Sequence, residues 1–250
     1  MSSKVVGKSI GPYRIDCAGD LSTEQLHGLI SEIARKSFSC WSSVKVTSPV
    51  VESAYPLALG GRSPVWRATL PSIGPVVMKP YYRGGILRHL VQRTYIGFGP
   101  SRSTRELYLL CRVRELGVAA PEPVAALTHG GLFYRAWLVT KEIPEAKTLA
   151  DLMLHDEERG RAAMEKLVPH VSKLVQNRIL HVDLHPGNVL VGNDDAVYIV
   201  DFDKARDYVG AVPKLRDHYV LRWRRAVLKH GLPDLLSEMM SLGLRRTTSA

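Results

Sequence analysis

A chain of 250 residues with 45% hydrophobic and 23% charged residues is apolar enough to build one or two cores, which excludes a disordered chain. Its three cysteines, Cys17, Cys40 and Cys111, are odd in number, widely spaced and form no CxxC pair, which fits a reducing compartment better than a disulfide framework. The formal net charge of +10 is concentrated in two segments, Lys79 to Arg114 with eight Lys/Arg against one acid and Lys204 to His230 with eight against two, so an anionic partner is expected.

No apolar run approaches the ~18 residues of a membrane span, and the N-terminal MSSKVVGKSIGPYRID lacks an apolar signal core, so the chain is expected in the cytoplasm. No zinc knuckle, RNP run or helix-turn-helix pattern accompanies the basic charge, and no nucleic-acid partner is expected.

The first element with a clear period is STEQLHGLISEIARKS at 22–37, where Ser22 and Gln25 have capping-box spacing and Leu26, Leu29, Ile30 and Ile33 share a helical face. From about 44 to 80 the runs VKVTSPVV, LALGGRSPVWRATL and PVVMKPY predict an antiparallel meander broken by Gly and Pro. SRSTRELYLLCRVRELG then predicts a helix with Ser103 and Glu106 as capping box, Glu106, Leu110 and Val113 on one face, and Gly117 as terminator. PVAALTH and LFYRAWLVTKEIP read as a hairpin joined through Gly130-Gly131. After Pro144 the pattern turns helical, TLADLMLHDEERG and then GRAAMEKLVPHVSKLVQNR with a Pro169 that could kink it. A helix over PKLRDHYVLRWRRAVLKHG, started by Pro213, and a short tail helix close the chain. Strand-rich first and helix-rich later, this order predicts an α+β fold in two lobes with a cleft where they meet.

The stretch HVDLHPGNVLVGNDDAVYIVDFDKAR carries the chemistry. Asp183 stands five residues before Asn188, and Asp201 thirteen after it. The intervening NVLVGNDDAVYIV alternates as two short strands around Asn193-Asp194-Asp195, a hairpin that would fold Asp201 back beside Asn188. One Asp and one amide from separate loops are what Mg²⁺ on a nucleotide asks of a protein, because the ion keeps waters and phosphate oxygens as its other ligands.

In this order and spacing the stretch resembles the protein-kinase-like superfamily, with its catalytic loop H-R-D-x-x-x-x-N and its D-F-G knot. The resemblance implies a β-rich N-lobe, a reduced helical C-lobe, and ATP and Mg²⁺ as cofactors. Asp183 would be the catalytic base or hydroxyl-orienting residue, Asn188 and Asp201 the metal ligands, and His181 a brace of the loop. By the same resemblance Lys79 would contact the nucleotide phosphates and Glu106 would pair with it, although Glu106 has a competing role as capping-box acid. Gly60 and Gly61 would turn over the phosphates, and Glu142 and Ile143 would offer backbone groups to adenine. Val182 replaces the motif Arg, Asp203 replaces the D-F-G glycine, and no A-P-E follows. With only 47 residues after Asp203, a small or glycolipid acceptor is expected instead of a protein.

The blocks KPYYRGGILRHL, STRELYLLCRVRELGVAAPEPVAA, GLFYRAWLVTKEIPEAKTLADL, HVDLHPGN and VDFDKAR, over roughly 58–207, are similar to the lipopolysaccharide kinases, in particular the 3-deoxy-D-manno-octulosonic acid (Kdo) kinases of Gram-negative bacteria. The His185-Pro186 pair departs from the pair with which the family's loop often ends. This resemblance implies ATP-dependent phosphorylation of a Kdo hydroxyl on lipid A at the cytoplasmic face of the inner membrane, with a core heptose kinase, an atypical protein kinase and a pseudokinase as alternatives. A pseudokinase should lack one of Asp183, Asn188 and Asp201, and an aminoglycoside kinase should be acidic; neither holds here. Arg83 and Arg88, with Arg93, Arg102 and Arg105, would engage the Kdo carboxylate, lipid A phosphates or an anionic membrane surface. The implied organisation is an N-terminal extension at 1–57, an N-lobe at 58–143 and a C-lobe at 144–250.

Overall fold

The computed structural model describes residues 5–39, 65–81, 95–96, 99–130 and 133–246. Gly60, Gly61, Arg83, Arg88, Arg93, Cys40 and the VKVTSPVV run lie outside the described residues. The elements are mixed α and β, with every strand pair antiparallel among the described residues, and they divide into two compact units. The first unit comprises the described residues within Met1–Pro56, Arg62–Leu107 and Pro123–Glu142, the second those within Tyr108–Glu122 and Ile143–Ala250.

In the first unit one sheet has the order β1 (Val5–Ile10), β2 (Tyr13–Ala18), β6 (Pro123–Gly130), β7 (Phe133–Lys141), β4 (Gly74–Pro80), β3 (Trp66–Leu70), with β5 (Tyr95–Ile96) also on β7. Residues read as an N-terminal extension thus supply two strands of this sheet. Ile10 pairs with Tyr13 across a two-residue turn, and the turn uses Gly11 at φ 53°, a left-handed value that glycine takes without steric cost. Helix α1 (Thr23–Ser39) opens as its sequence predicts: the Gln25 N–H donates to Ser22 Oγ at 3.2 Å and the Ser22 N–H to Gln25 Oε1 at 2.9 Å. Its Leu26, Leu29 and Ile33 are buried in one cluster with Ile15, Val76, Met78 and Val139. Burial of such side chains is worth roughly 1.5–3 kcal/mol each, more than a 17-residue helix gains from propensity alone.

Helix α2 (Arg102–Glu115) begins in the first unit and continues into the second. The expected Ser103 cap is not used: Ser101 Oγ accepts from the Thr104 N–H at 3.0 Å, and Ser103 lies inside the helix, fully buried. The helix stops at Gly117 (φ 75°), where the Val118 N–H returns to the Val113 carbonyl at 2.9 Å.

The second unit is mainly helical. Helix α3 (Leu149–His155) is capped by Thr148, and α4 (Glu157–Gln176) by Asp156, whose carboxylate accepts from the Arg159 N–H at 3.2 Å. Helix α4 runs through Pro169 as one element. Helices α5 (Val212–Lys229) and α6 (Leu235–Arg246) pack on it and on each other, so the tail helix is three turns long and not the short piece expected. Gly243 lets α6 close on α4, because a Cβ there would stand 2.4 Å from Val168 Cγ1. Two small sheets complete the unit: β8 (Lys147–Thr148), β10 (Val189–Val191) and β11 (Val197–Ile199) in one, β9 (Ile179–Leu180) and β12 (Arg206–Asp207) in the other.

Candidate functional site

In the first unit the strand period brings Lys79 and Tyr81 to one face of β4 and its extension, because Val76, Met78 and Pro80 occupy the other face and are buried. Tyr81 continues the ladder, its N–H donating to the Ala136 carbonyl at 3.0 Å. Glu106, one helical turn after the α2 start, meets both side chains. Lys79 Nζ donates to Oε1 at 3.1 Å and to Oε2 at 2.9 Å, and the Tyr81 hydroxyl donates to Oε2. Of the two roles open to Glu106, this structure selects the pairing with Lys79 and not the cap. Glu106 is only 3% exposed, and a carboxylate buried to that degree is costly unless it is paired.

In the second unit the loop after β9 folds around Asn188. His185 accepts the Gly187 N–H on Nδ1 at 3.1 Å, Pro186 starts a single 3-10 turn over Pro186–Asn188, and the Asn188 N–H closes it on the His185 carbonyl at 2.8 Å. The Asn188 side chain is wholly buried, and its Nδ2 donates to the Asp183 backbone carbonyl at 2.8 Å. That bond fixes the amide orientation, since the reverse flip would set oxygen against oxygen. Oδ1 is left buried without a hydrogen-bond partner. An orphaned buried acceptor costs roughly 1–3 kcal/mol, and an oxygen-seeking cation is one group that would satisfy it.

The β10–β11 hairpin then does what its alternation predicts. Val189 pairs with Ile199, Gly192 accepts from Asp195 and donates to Ala196, and the Val200 N–H donates to the Asn188 carbonyl at 3.0 Å. Asp201 thereby follows directly on a residue bonded to Asn188. Its backbone sits at φ 68°, a left-handed conformation costly for a residue with a Cβ. Asp183, Asn188 and Asp201 are thus brought into one loop-and-hairpin unit, and the residues present fit a Mg²⁺ held by an amide oxygen and a carboxylate.

His181 is a brace, buried and edge-on to Phe202 with ring centroids 4.7 Å apart. Its Nε2 donates to the Val200 carbonyl at 3.0 Å, which leaves Nδ1 unprotonated and, in this structure, unpartnered. Burial pushes its pKa below the ordinary histidine value, and the Val200 bond and the Asp201 and Asp183 charges only partly offset this. Helix α5 supports the same stretch: the Tyr219 hydroxyl accepts from the His181 N–H at 2.8 Å and donates to the Ile179 carbonyl at 2.7 Å, and burial pushes its pKa up.

One turn along α5, Arg222 Nη2 donates to Asp183 Oδ1. Sequence reasoning passed over Arg222, which stands among Arg216, Arg224 and Arg225 in a basic segment where no local pattern separates it from its neighbours. The available signal was Tyr219 three positions earlier, which shares its face.

The remaining expected site residues differ in how they are held. The Glu142 N–H is already donated to the Pro75 carbonyl at 3.0 Å, and its carboxylate pairs with Arg67 at 3.1 Å. Ile143 follows as the first residue of the second unit in this stretch, its Cγ2 3.6 Å from where a Cβ on Gly192 would stand. Arg102 lies over the Tyr81 ring, 5.5 Å from its centroid, and Arg105 is exposed.

Residues 61–234 match the model of the lipopolysaccharide kinase (Kdo/WaaP) family. A 3-deoxy-D-manno-octulosonic acid kinase from Vibrio vulnificus (strain YJ016) is 32% identical over 153 residues, 60% of this chain and 64% of that protein, so the match spans just under two thirds of that relative's length. The kinase of the same name from Photobacterium profundum is 32% identical over 164 residues, 63% of this chain and 67% of its own length. That from Xylella fastidiosa (strain M23) is 28% identical over 187 residues, 71% of each chain.

Proposed function

The chain belongs to the lipopolysaccharide kinase (Kdo/WaaP) family, and from that premise we propose that it transfers the γ-phosphoryl group of ATP to a hydroxyl of Kdo carried on lipid A. The acceptor is taken from the names of the relatives. The observation that carries the reaction type is the Asn188 side chain, fixed by Asp183 at one end and left with a bare buried oxygen at the other.

In this reading Asp183 orients the acceptor hydroxyl and takes its proton as the oxygen attacks phosphorus and ADP leaves. Asn188 Oδ1 and the Asp201 carboxylate would hold Mg²⁺, which when bound screens the charge of the phosphates. Lys79, held by Glu106, would contact the phosphates as a point charge, and Gly60-Gly61 would pass over them. Ile143 and the Glu142 carbonyl would meet adenine.

The two units are read as a two-lobed protein-kinase-like fold, the first unit, strands and α1 of the N-terminal segment included, as a β-rich N-lobe and the second, which takes in Tyr108–Glu122 and Ile143–Ala250, as a reduced helical C-lobe. No described helix is long and apolar enough to cross a membrane. In the proposed reading the chain works at the cytoplasmic face of the inner membrane, where basic residues, Arg83, Arg88, Arg102 and Arg105 among them, would each be worth ~1 kcal/mol near an anionic surface.

The experiment is transfer of labelled γ-phosphate from ATP·Mg²⁺ onto Kdo-lipid A, lipid A without Kdo, heptosylated core and a generic protein. Label on Kdo-lipid A alone supports the proposal. Label on the heptosylated core only, or on protein only, replaces the acceptor.

A further inference from the structure

Arg222 and Asp183 form an ion pair whose two side chains are 36% and 34% exposed, so part of each faces solvent although Arg222 Nε does not. The contact is one-armed. Nη2 is on Asp183 Oδ1, whereas Nε, on the same edge of the guanidinium, is buried with no hydrogen-bond partner. A guanidinium edge is built to grip two oxygens of a planar anion, so a single bond on it is an incomplete complement.

The backbone around the pair is fixed. Tyr219 ties α5 to Ile179 and His181, Trp223 Nε1 donates to the Leu236 carbonyl at 3.1 Å, and Asn188 holds the Asp183 carbonyl. Arg222 therefore sits on a braced helix turn, beside the carboxylate that would address the acceptor hydroxyl. Any sugar presenting a hydroxyl to Asp183 must place its neighbouring substituents within reach of this guanidinium. An octulosonic acid has a carboxylate to place there.

Resting on the function proposed above, we infer that Arg222 is the receptor for the acceptor's carboxylate: the guanidinium that steadies Asp183 in the free protein grips the sugar acid when it binds. This assigns an acceptor-specificity role to a residue of α5 and names the class of acceptor as one bearing an anionic group near its reacting hydroxyl. Val182 stands where the motif has an arginine, and a guanidinium reaches Asp183 here from a residue 39 positions downstream of it.

The test compares Kdo-lipid A with the same lipid whose Kdo carboxylate is converted to the carboxamide. The full-length protein is expected to favour the acid by about 10–100-fold in kcat/KM, the range of a charge-assisted fork against a neutral group. Arg222→Ala should shrink that ratio to within about 3-fold, raise KM for the acid by at least ~10-fold and leave KM for ATP within ~2-fold. Arg222→Lys, which keeps charge without the fork, should fall between, and it carries the comparison if the alanine variant fails to fold.

Arg161→Ala, which removes an exposed charge from α4, should retain the full ratio. If Arg222→Ala lowers kcat while the acid-to-amide ratio persists, Arg222 only positions Asp183 and the inference fails alone. A full-length protein that shows no preference for the acid sinks it equally. If no Kdo acceptor is phosphorylated at all, the proposed function falls and takes this inference with it.

Discussion

Lys79 Nζ lies 2.9 Å from Glu106 Oε2 although the residues are 27 positions apart, and the Tyr81 hydroxyl donates to the same oxygen. The carboxylate is the buried member and the lysine the partly exposed one, so the two ends of the pair are not equivalent under mutation. Lys79→Met removes the cationic partner of a buried carboxylate and should cost about 3 kcal/mol. Glu106→Gln keeps an acceptor for Tyr81 and strands nothing charged in the core, and should cost nearer ~1 kcal/mol. Urea midpoints at constant m-value measure both, and an equal cost would show that the pair is not buried in solution.

Asp183→Asn preserves shape and removes the group proposed to accept the proton. Transfer should fall by at least ~100-fold while ATP affinity stays within about 2-fold. Single-turnover rates with saturating nucleotide separate the two quantities, and undiminished turnover would remove Asp183 from the chemistry.

The bare Oδ1 of Asn188 makes a prediction about metal that needs no acceptor. ATP with Mg²⁺ at a hundredfold excess over Kd should stabilise the protein by about 2.7 kcal/mol, and ATP with EDTA should raise the melting temperature less. Asn188→Ala should lose most of the increment due to Mg²⁺. Without metal its cost should be only about 1 kcal/mol, because it removes an orphaned acceptor along with one hydrogen bond. An increment that survives in Asn188→Ala would move the ion elsewhere.

Buried histidines contribute to the acid limb of stability. Burial pushes the pKa of His181 down, and burial with the Lys173 charge does the same to His170, whose Nδ1 accepts from the Ala119 N–H at 3.3 Å. Unfolded histidine titrates near ~6.5. As pH falls through that value the unfolded chain takes up protons that the folded one refuses, so stability drops; above it the difference vanishes. The denaturation midpoint should decline from about pH 7 toward pH 5, by at most about 1.4 kcal/mol per pH unit for each fully depressed histidine. His181→Asn, which keeps a donor for Val200, should flatten that decline.

Local grammar carried much of this architecture. The Ser22–Gln25 box, the Gly117 stop and the NDD hairpin each depend on neighbours within a few residues, and each formed as its spacing predicts. Where two local rules competed, sequence could not arbitrate. Glu106 has the position of a capping acid after Ser103, and only the arrival of Lys79 and Tyr81 from β4 draws it inward, leaving Ser101 to cap. Arg222 was illegible for a related reason: its partner lies on another element, and its own helix offers several arginines of equal local merit. The N-terminal strands were underread because their value comes from β6, more than a hundred residues away.

The left-handed turn at Asp201 inverts an ordinary rule of substitution. At most positions alanine is a safer replacement than glycine, but at φ 68° the methyl group is the burden, and Asp201→Gly should be more stable than Asp201→Ala by about 1 kcal/mol. A screen for thermostability alone would therefore drift toward glycine here and discard the carboxylate on the way. If the carboxylate holds Mg²⁺ as proposed, folding and chemistry ask for different residues at this one position.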